Sequence, residues 1–260
     1  MTTGQLQQDR PVMAPARNAM SKVPEVTVYF WIIKLLTTGM GETLSDYLAH
    51  LLDPVTAVGV AGVALLVAVV VQFWVRRYVA WIYWTAIVMV SVFGTMAADV
   101  AHVGLGVPYL TSTLIFLGVL AAVFAIWYAS EKTLSIHSIY TRRREGFYWA
   151  TVLATFALGT AAGDMTAGTM ALGYLGSIGM FAAVMAVPAL GRWKFGLGAI
   201  PAFWFAYVVT RPLGASIADW MAVSARHGGL GLGTGPVSLY WLIAIVGFVS
   251  YVAVSRRDVA

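Results

Sequence analysis

Residues 30–46 read Phe-Trp-Ile-Ile-Lys-Leu-Leu-Thr-Thr-Gly-Met-Gly-Glu-Thr-Leu-Ser-Asp. An aromatic-Trp pair is followed by Gly41 ten residues after Trp31, and by Asp46 five residues after that. The same spacing returns three times without an insertion: Tyr83-Trp84 with Gly94 and Asp99, Tyr148-Trp149 with Gly159 and Asp164, and Phe203-Trp204 with Gly214 and Asp219. The surroundings of all four copies of [FY]-W-x9-G-x4-D are apolar. The chain is 60% hydrophobic and only 10% charged, where a soluble domain carries about a quarter of charged residues. Its mean hydropathy is +0.81. Runs long enough to cross a bilayer as helices, ~20 residues each, make every one of the four carboxylates a functional-site candidate, because a charge there is costly.

Apolar runs bounded by charges or Gly/Pro turns give eight segments: 26–50, 55–75, 78–102, 109–130, 147–172, 174–190, 196–223 and 237–255. Odd and even segments are joined by short turns such as Asp53-Pro54 and the stretch 104–108. The expected fold is an all-α integral membrane protein of eight transmembrane helices, arranged as four tandem helical hairpins. Residues 1–23 are polar, lack the apolar core of a cleavable signal, and read as a disordered or surface-lying cytoplasmic tail. Two hairpins fill 24–130, a basic linker spans 131–146, and two more hairpins fill 147–257.

The net charge of +5 does not point to nucleic acid, since the basic residues fall in short clusters between the apolar runs. Arg10, Arg17, Lys22, Arg76, Arg77, Lys132, Arg142, Arg143, Arg144, Arg192, Lys194, Arg256 and Arg257 lie on one side of the expected membrane, and only Arg226 on the other. The positive-inside rule then places both termini in the cytoplasm. Cysteine is absent, which excludes disulfides and thiolate metal ligands.

Asp46 and Asp99 are 53 residues apart, Asp164 and Asp219 are 55, and the middle gap is 65. A hairpin duplicated twice, 2+2, accounts for these intervals. Repeats of two segments each keep one orientation and are related by an axis along the membrane normal. Trp31, Trp84, Trp149 and Trp204 fit as interface anchors, where amphipathic rings prefer to sit. Fifteen helical residues at ~1.5 Å each put the four Asp at one depth, about 22 Å further along. Four residues after each motif glycine stands another small residue, Ser45, Ala98, Gly163 or Ala218. This small-xxx-small pattern lets membrane helices approach closely, with the Asp on the flank of the contact.

Glu42, Asp46 and His50 stand at i, i+4 and i+8 on one helical stripe, and His102 follows Asp99 by three residues. Carboxylate oxygens with imidazole nitrogen suit a divalent ion such as Mn²⁺, Fe²⁺ or Zn²⁺. A solvated histidine near a segment end is the competing reading of His50 and His102. Lys34 stands three residues beyond Trp31, where a lysine can snorkel to the interface. Arg211 lies deeper, before Pro212, and needs a carboxylate partner if buried, as a structural counter-charge or as a gate. Glu42 and the four Asp against Lys34 and Arg211 leave an excess of three negative charges, which protons or bound cations must balance. Thr37, Thr155 and Thr210, nine residues before their Asp, face away from it and read as backbone-bonding residues.

The stretches Val23-Pro24-Glu25-Val26-Thr27 leading into Phe30-Trp31-Ile32-Ile33-Lys34, Gly41-Glu42-Thr43, Ser45-Asp46, Phe147-Tyr148-Trp149, Leu158-Gly159-Thr160 with Gly163-Asp164, and Thr210-Arg211-Pro212-Leu213-Gly214-Ala215 also carry a resemblance. Over residues 23–257 the chain resembles the bacterial family catalogued as uncharacterised "membrane-anchored" proteins. The resemblance implies a multi-pass protein of the bacterial inner membrane and brings no activity with it. No nucleotide loop, nucleophile elbow, HExxH or paired-acid pattern appears, so no enzyme is expected. The expected partners are the lipid bilayer and a small cation. The leading expectation is a cation transporter, for a divalent metal, whose pathway is lined by Glu42 and the four motif Asp. A proton or monovalent-cation conductor and a non-transporting membrane scaffold or sensor are the alternatives.

Overall fold

A computed structural model describes residues 21–259, in which all regular secondary structure is helical. Eight long helices run in order: α1 Val28–Leu52, α2 Pro54–Trp74, α3 Ala80–Asp99, α4 Tyr109–Glu131, α5 Arg142–Asp164, α6 Gly173–Phe195, α7 Ala199–Ala222 and α8 Thr234–Ser255. Thr27 caps α1 by accepting from the Phe30 N–H, and Thr141 caps α5 by accepting from the Arg144 N–H. Asp53, at φ 79°, makes the tight turn into α2 and accepts from the Val55 and Thr56 amides at 3.1 and 3.0 Å. Those bonds, the Thr56 one foremost, hold its carboxyl below the usual carboxylate range. α3 and α5 each pass directly from the motif Asp into one π-helical turn, Val100–Gly104 and Met165–Thr169. Turns of that kind recur at functional positions.

The four odd helices pack into a ring, α1 on α3, α3 on α5, α5 on α7 and α7 on α1. Their contacts repeat residue for residue. A Cβ placed on Gly41 would overlap Ser91, on Gly94 Phe156, on Gly159 Arg211, and on Gly214 Thr38. Each motif glycine thus abuts the side chain three positions before the next motif glycine, and the fourth closes on the first. The aromatic pairs repeat the pattern at the other end. Phe30 meets Trp84, Tyr83 meets Trp149, Tyr148 meets Trp204 and Phe203 meets Trp31, with ring centroids 5.7, 5.7, 6.2 and 5.7 Å apart. Contacts between equivalent residues at both levels require the four odd helices to run parallel.

The even helices lie outside this ring, and their packing departs from the expected hairpins. Each leans chiefly on the odd helix that follows it, α2 on α3, α4 on α5, α6 on α7, and α8 back on α1. A ring whose odd helices touch through glycine has grooves only between neighbours, and a short turn delivers each even helix into the groove on its far side. α2, α3, α4 with the even helices α6 and α8 make up the five helices long and apolar enough to cross a membrane. Large apolar side chains such as Val63, Leu66, Leu114, Ile115, Leu175 and Ile243 point outward from the even helices, while Thr37, Thr95, Thr155 and Arg211 are buried between the odd ones. Apolar outside and polar inside is the arrangement of a chain solvated by lipid.

At the aromatic end, where the basic loops gather, residues 21–27 join the folded body. Lys22 is buried and pairs with the buried Glu145 at the start of α5, and Gln72 donates to the same carboxylate at 3.2 Å. The Glu25 N–H donates to the Asp258 carbonyl, and the Tyr78 hydroxyl to the Asp258 carboxylate at 2.5 Å. Burial is the first of the causes that push the Tyr78 hydroxyl well above the ordinary phenol range. The tail expected over 1–23 is therefore built into the structure at residues 21–23, and the rest of it lies outside the described residues. The linker expected over 131–146 is shorter, since α4 runs to Glu131 and α5 begins at Arg142.

Overpacking a close helix contact costs ~1–3 kcal/mol. Gly159→Ala should accordingly lower the midpoint of heat-induced unfolding in detergent, whereas Gly118→Ala, on the outer face of α4 with nothing near its added carbon, should leave it unchanged or raise it.

Candidate functional site

The ring brings one group from each odd helix to a single point. Arg211 of α7 is fully buried, and its Nη2 donates to Glu42 of α1 at 2.8 Å, to Thr160 of α5 at 2.7 Å, and to Thr95 of α3. Its Nη1 donates to the Thr38 carbonyl at 3.2 Å. Glu42, Thr95 and Thr160 are equivalent residues: each follows its motif glycine. The fourth equivalent, Ala215, leaves room for the guanidinium that arrives from the same helix one turn earlier. Three oxygen side chains and a carbonyl thus form a seat for one cation, and a tethered guanidinium fills it. Sequence spacing marked Arg211 as needing a carboxylate. It did not single out Thr95 and Thr160, although the position after each motif glycine is polar in three of four copies.

Beyond this seat, toward the outer ends of the odd helices, stand Asp46, Asp99, Asp164 and Asp219. All four are half-buried, and none of their carboxylates has a hydrogen-bond or ion-pair partner among the described residues. Each lies within electrostatic reach of Glu42 and of Arg211. The carboxylate oxygens of Glu42, Asp164 and Asp219 approach within 4.8 Å of one another. The equivalent Tyr109 and Tyr174, near the starts of α4 and α6, lie in the field of the same aspartates. Neither tyrosine was expected at the site. Their position ten residues after Asp99 and Asp164 is the signal that marks them.

The expected histidine ligands are not part of that carboxylate group. His50 is exposed and its Nδ1 bonds the Asp46 backbone carbonyl at 2.6 Å. His102 packs on the Tyr109 ring and meets Ser112 and the Val107 carbonyl at 3.3 Å. The π turn carries it away from the Asp99 side that the α-helical spacing implied. The carboxylate group that does assemble comes from α1, α5 and α7.

Lys34 does not snorkel. It is fully buried, with Nζ 4.2 Å from the Phe156 ring centroid, 3.9 Å from that of Tyr207, and no acceptor. The motif tryptophans are likewise internal: Trp84, Trp149 and Trp204 are buried and Trp31 is half-buried. They close an aromatic ring in place of anchoring each helix at an interface. Ser45, Ala98, Gly163 and Ala218 are all buried in the helix contacts. Thr37, Thr155 and Thr210 bond the backbone carbonyls of Lys34, Val152 and Ala206 at 2.9, 2.6 and 2.7 Å.

An all-helical membrane protein built from a repeated helix pair, with polar groups gathered on the axis of its inner ring, is the class that fold and site define. The chain belongs to the family described as Repeat of Unknown Function (DUF347), which matches it four times, over residues 29–78, 82–133, 147–195 and 202–258. Each matched unit takes in one odd helix and the even helix after it. No curated protein and no solved structure matches the chain.

Removing one member of a buried ion pair leaves the other charge uncompensated, at a cost of ~3–5 kcal/mol. Glu42→Leu and Arg211→Met should each destabilise the protein on that scale in chemical unfolding from micelles. The double variant should lose clearly less than the sum of the two.

Proposed function

We propose that the protein is a cation transporter of the bacterial inner membrane, with a divalent metal ion as substrate. The observation that carries this reading is the seat on the ring axis: three odd helices direct oxygen groups to the guanidinium of the fourth, and four aspartates whose carboxylates have no partner among the described residues stand immediately outside it. In this reading all eight helices span the bilayer, both termini face the cytoplasm with the basic loops, and the aspartates open toward the opposite side. The Asp46, Asp99, Asp164 and Asp219 carboxylates collect the cation, and Glu42 with Asp164 and Asp219 offers it oxygen ligands. Such hard oxygen donors suit Mn²⁺ or Mg²⁺, and Fe²⁺ or Zn²⁺ less well without the histidines.

Arg211 is then the internal rival of the substrate. It holds Glu42 while the site is empty and must release it when a cation binds. Glu42 and Arg211 neutralise each other, and a cation that enters takes the four aspartate carboxyls as oxygen ligands in place of any protons they hold. No nucleophile or acid-base pair is set up near the seat, and the reading includes no enzymatic step.

In liposomes loaded with a metal-sensitive dye, the purified protein should admit Mn²⁺, and Asp46→Asn with Asp164→Asn should cut the rate at least tenfold. Unchanged flux in that double variant overturns the proposal. A pH-driven current without any divalent requirement would assign the same carboxylates to proton conduction. The cysteine-free chain suits labelling of single cysteines at Asp53 and Lys132, which should react from opposite faces of the membrane.

A further inference from the structure

The Phe156 ring serves two cations. The Arg211 guanidinium carbon lies 5.2 Å from its centroid and Lys34 Nζ lies 4.2 Å from it. Lys34 Nζ also sits 3.9 Å from the Tyr207 centroid, and its three N–H donors find no acceptor. A lysine nitrogen wholly out of water thus faces aromatic rings alone. Its equivalents three residues after the other motif tryptophans are Ile87, Val152 and Tyr207, all as fully buried as Lys34 itself. The scaffold therefore needs no charge at this level, and three copies fill it with apolar or aromatic groups. In the first copy alone a lysine enters, and its nitrogen meets two ring faces at cation–π distance.

Arg211 in its oxygen seat and Lys34 in its aromatic cage form two successive cation positions on one axis, each filled by a tethered side chain. Their chemistry differs. Oxygen donors suit a hard, strongly hydrated ion, while π faces suit an ammonium group, as in the aromatic cages that hold alkylated amines. We propose that the Phe156–Tyr207 cage is a cation site in its own right, for a small monovalent cation of the ammonium type, with Lys34 as its tethered occupant. The site stands on the cage geometry and does not require that any cation cross the membrane.

The test is chemical rescue in purified protein. Lys34→Ala should unfold at lower temperature than the parent, and methylammonium chloride should restore several degrees in a saturable manner that equal sodium chloride does not, because a ligand of the native state alone raises its stability. Lys34→Met, which refills the space with an uncharged chain, and the parent should both ignore methylammonium. Phe156→Leu added to Lys34→Ala should abolish the rescue. A Lys34→Ala protein indifferent to methylammonium overturns the site, as does an equal response in Lys34→Met. If Lys34→Ala is recovered only when methylammonium is present during extraction, the site is supported. If it is lost under both conditions while Lys34→Met is recovered, the site is overturned. None of these readouts depends on flux, so the failure of this site and the failure of the transport reading are told apart.

Discussion

The guanidinium of Arg211 sets the terms for the rest of the structure. A guanidinium taken out of water needs a counter-charge and hydrogen-bond acceptors, and no single helix can supply them to its two Nη groups. Glu42, Thr95, Thr160 and the Thr38 carbonyl come from three other helices. They reach one point only if the backbones of α1, α3, α5 and α7 crowd together. That crowding is what the motif glycines permit, and Gly159 lies directly against the Arg211 stem. The small residues and the buried charge are thus two sides of one requirement. With bulkier residues in the contacts the ring would widen, and the guanidinium would lose acceptors that nothing else in an apolar core can replace.

A repeated scaffold carries unrepeated cargo. The contact between a motif glycine and the residue three positions before the next glycine holds around the ring, yet those residues are Thr38, Ser91, Phe156 and Arg211. The position after the glycine holds Glu42, Thr95, Thr160 and Ala215. Because the backbone frame is set by glycine and by the aromatic ring, each of these positions can change chemistry without moving its neighbours. The sequence has used that freedom to put one anion and one cation on the axis, with a phenyl ring beside the cation. The even helices contribute apolar surface, which explains why all four are apolar enough for a span, while α1, α5 and α7, though as long, are not.

What could be read from the sequence was whatever belongs to one helix at a time. The helical class, the fourfold motif, the small-residue contacts, and the backbone-bonded Thr37, Thr155 and Thr210 follow from composition and spacing within a segment. What could not be read was whatever depends on a neighbour. A Trp on an isolated helix belongs at an interface, but Trp84 has Phe30 and Trp149 has Tyr83 beside it, and partners of that kind make burial the better solution. Lys34 was near enough to an interface to reach it, but aromatic faces from α5 and α7 were closer. His102 had the right helical spacing for Asp99 until a π turn changed the angle between them. The hairpin, obvious from chain connectivity, was misleading about packing, because groove width between odd helices and not sequence adjacency selects the partner.

The two ends of the ring differ in a way that bears on how a cation would move through it. At one end the partnerless aspartates stand half-open. At the other, eight aromatic side chains close the axis, and beneath the Lys34 cage the Tyr83 and Tyr148 hydroxyls bond each other. Aromatic pairs contribute ~0.5–1.5 kcal/mol each beyond their buried area, so parting the four inter-helix pairs costs on the order of a few kcal/mol. A ligand shifts a conformational equilibrium only by its difference in affinity between the two states. In the proposed reading that difference has a definite source. A divalent ion at Glu42 frees Arg211 from its carboxylate, and the released guanidinium must find a new place beside Phe156, whose ring also faces Lys34. The aromatic closure and the oxygen seat are therefore linked through Phe156, whose ring faces both Arg211 and Lys34, and energy gained at the carboxylates has a short route to the layer that must open.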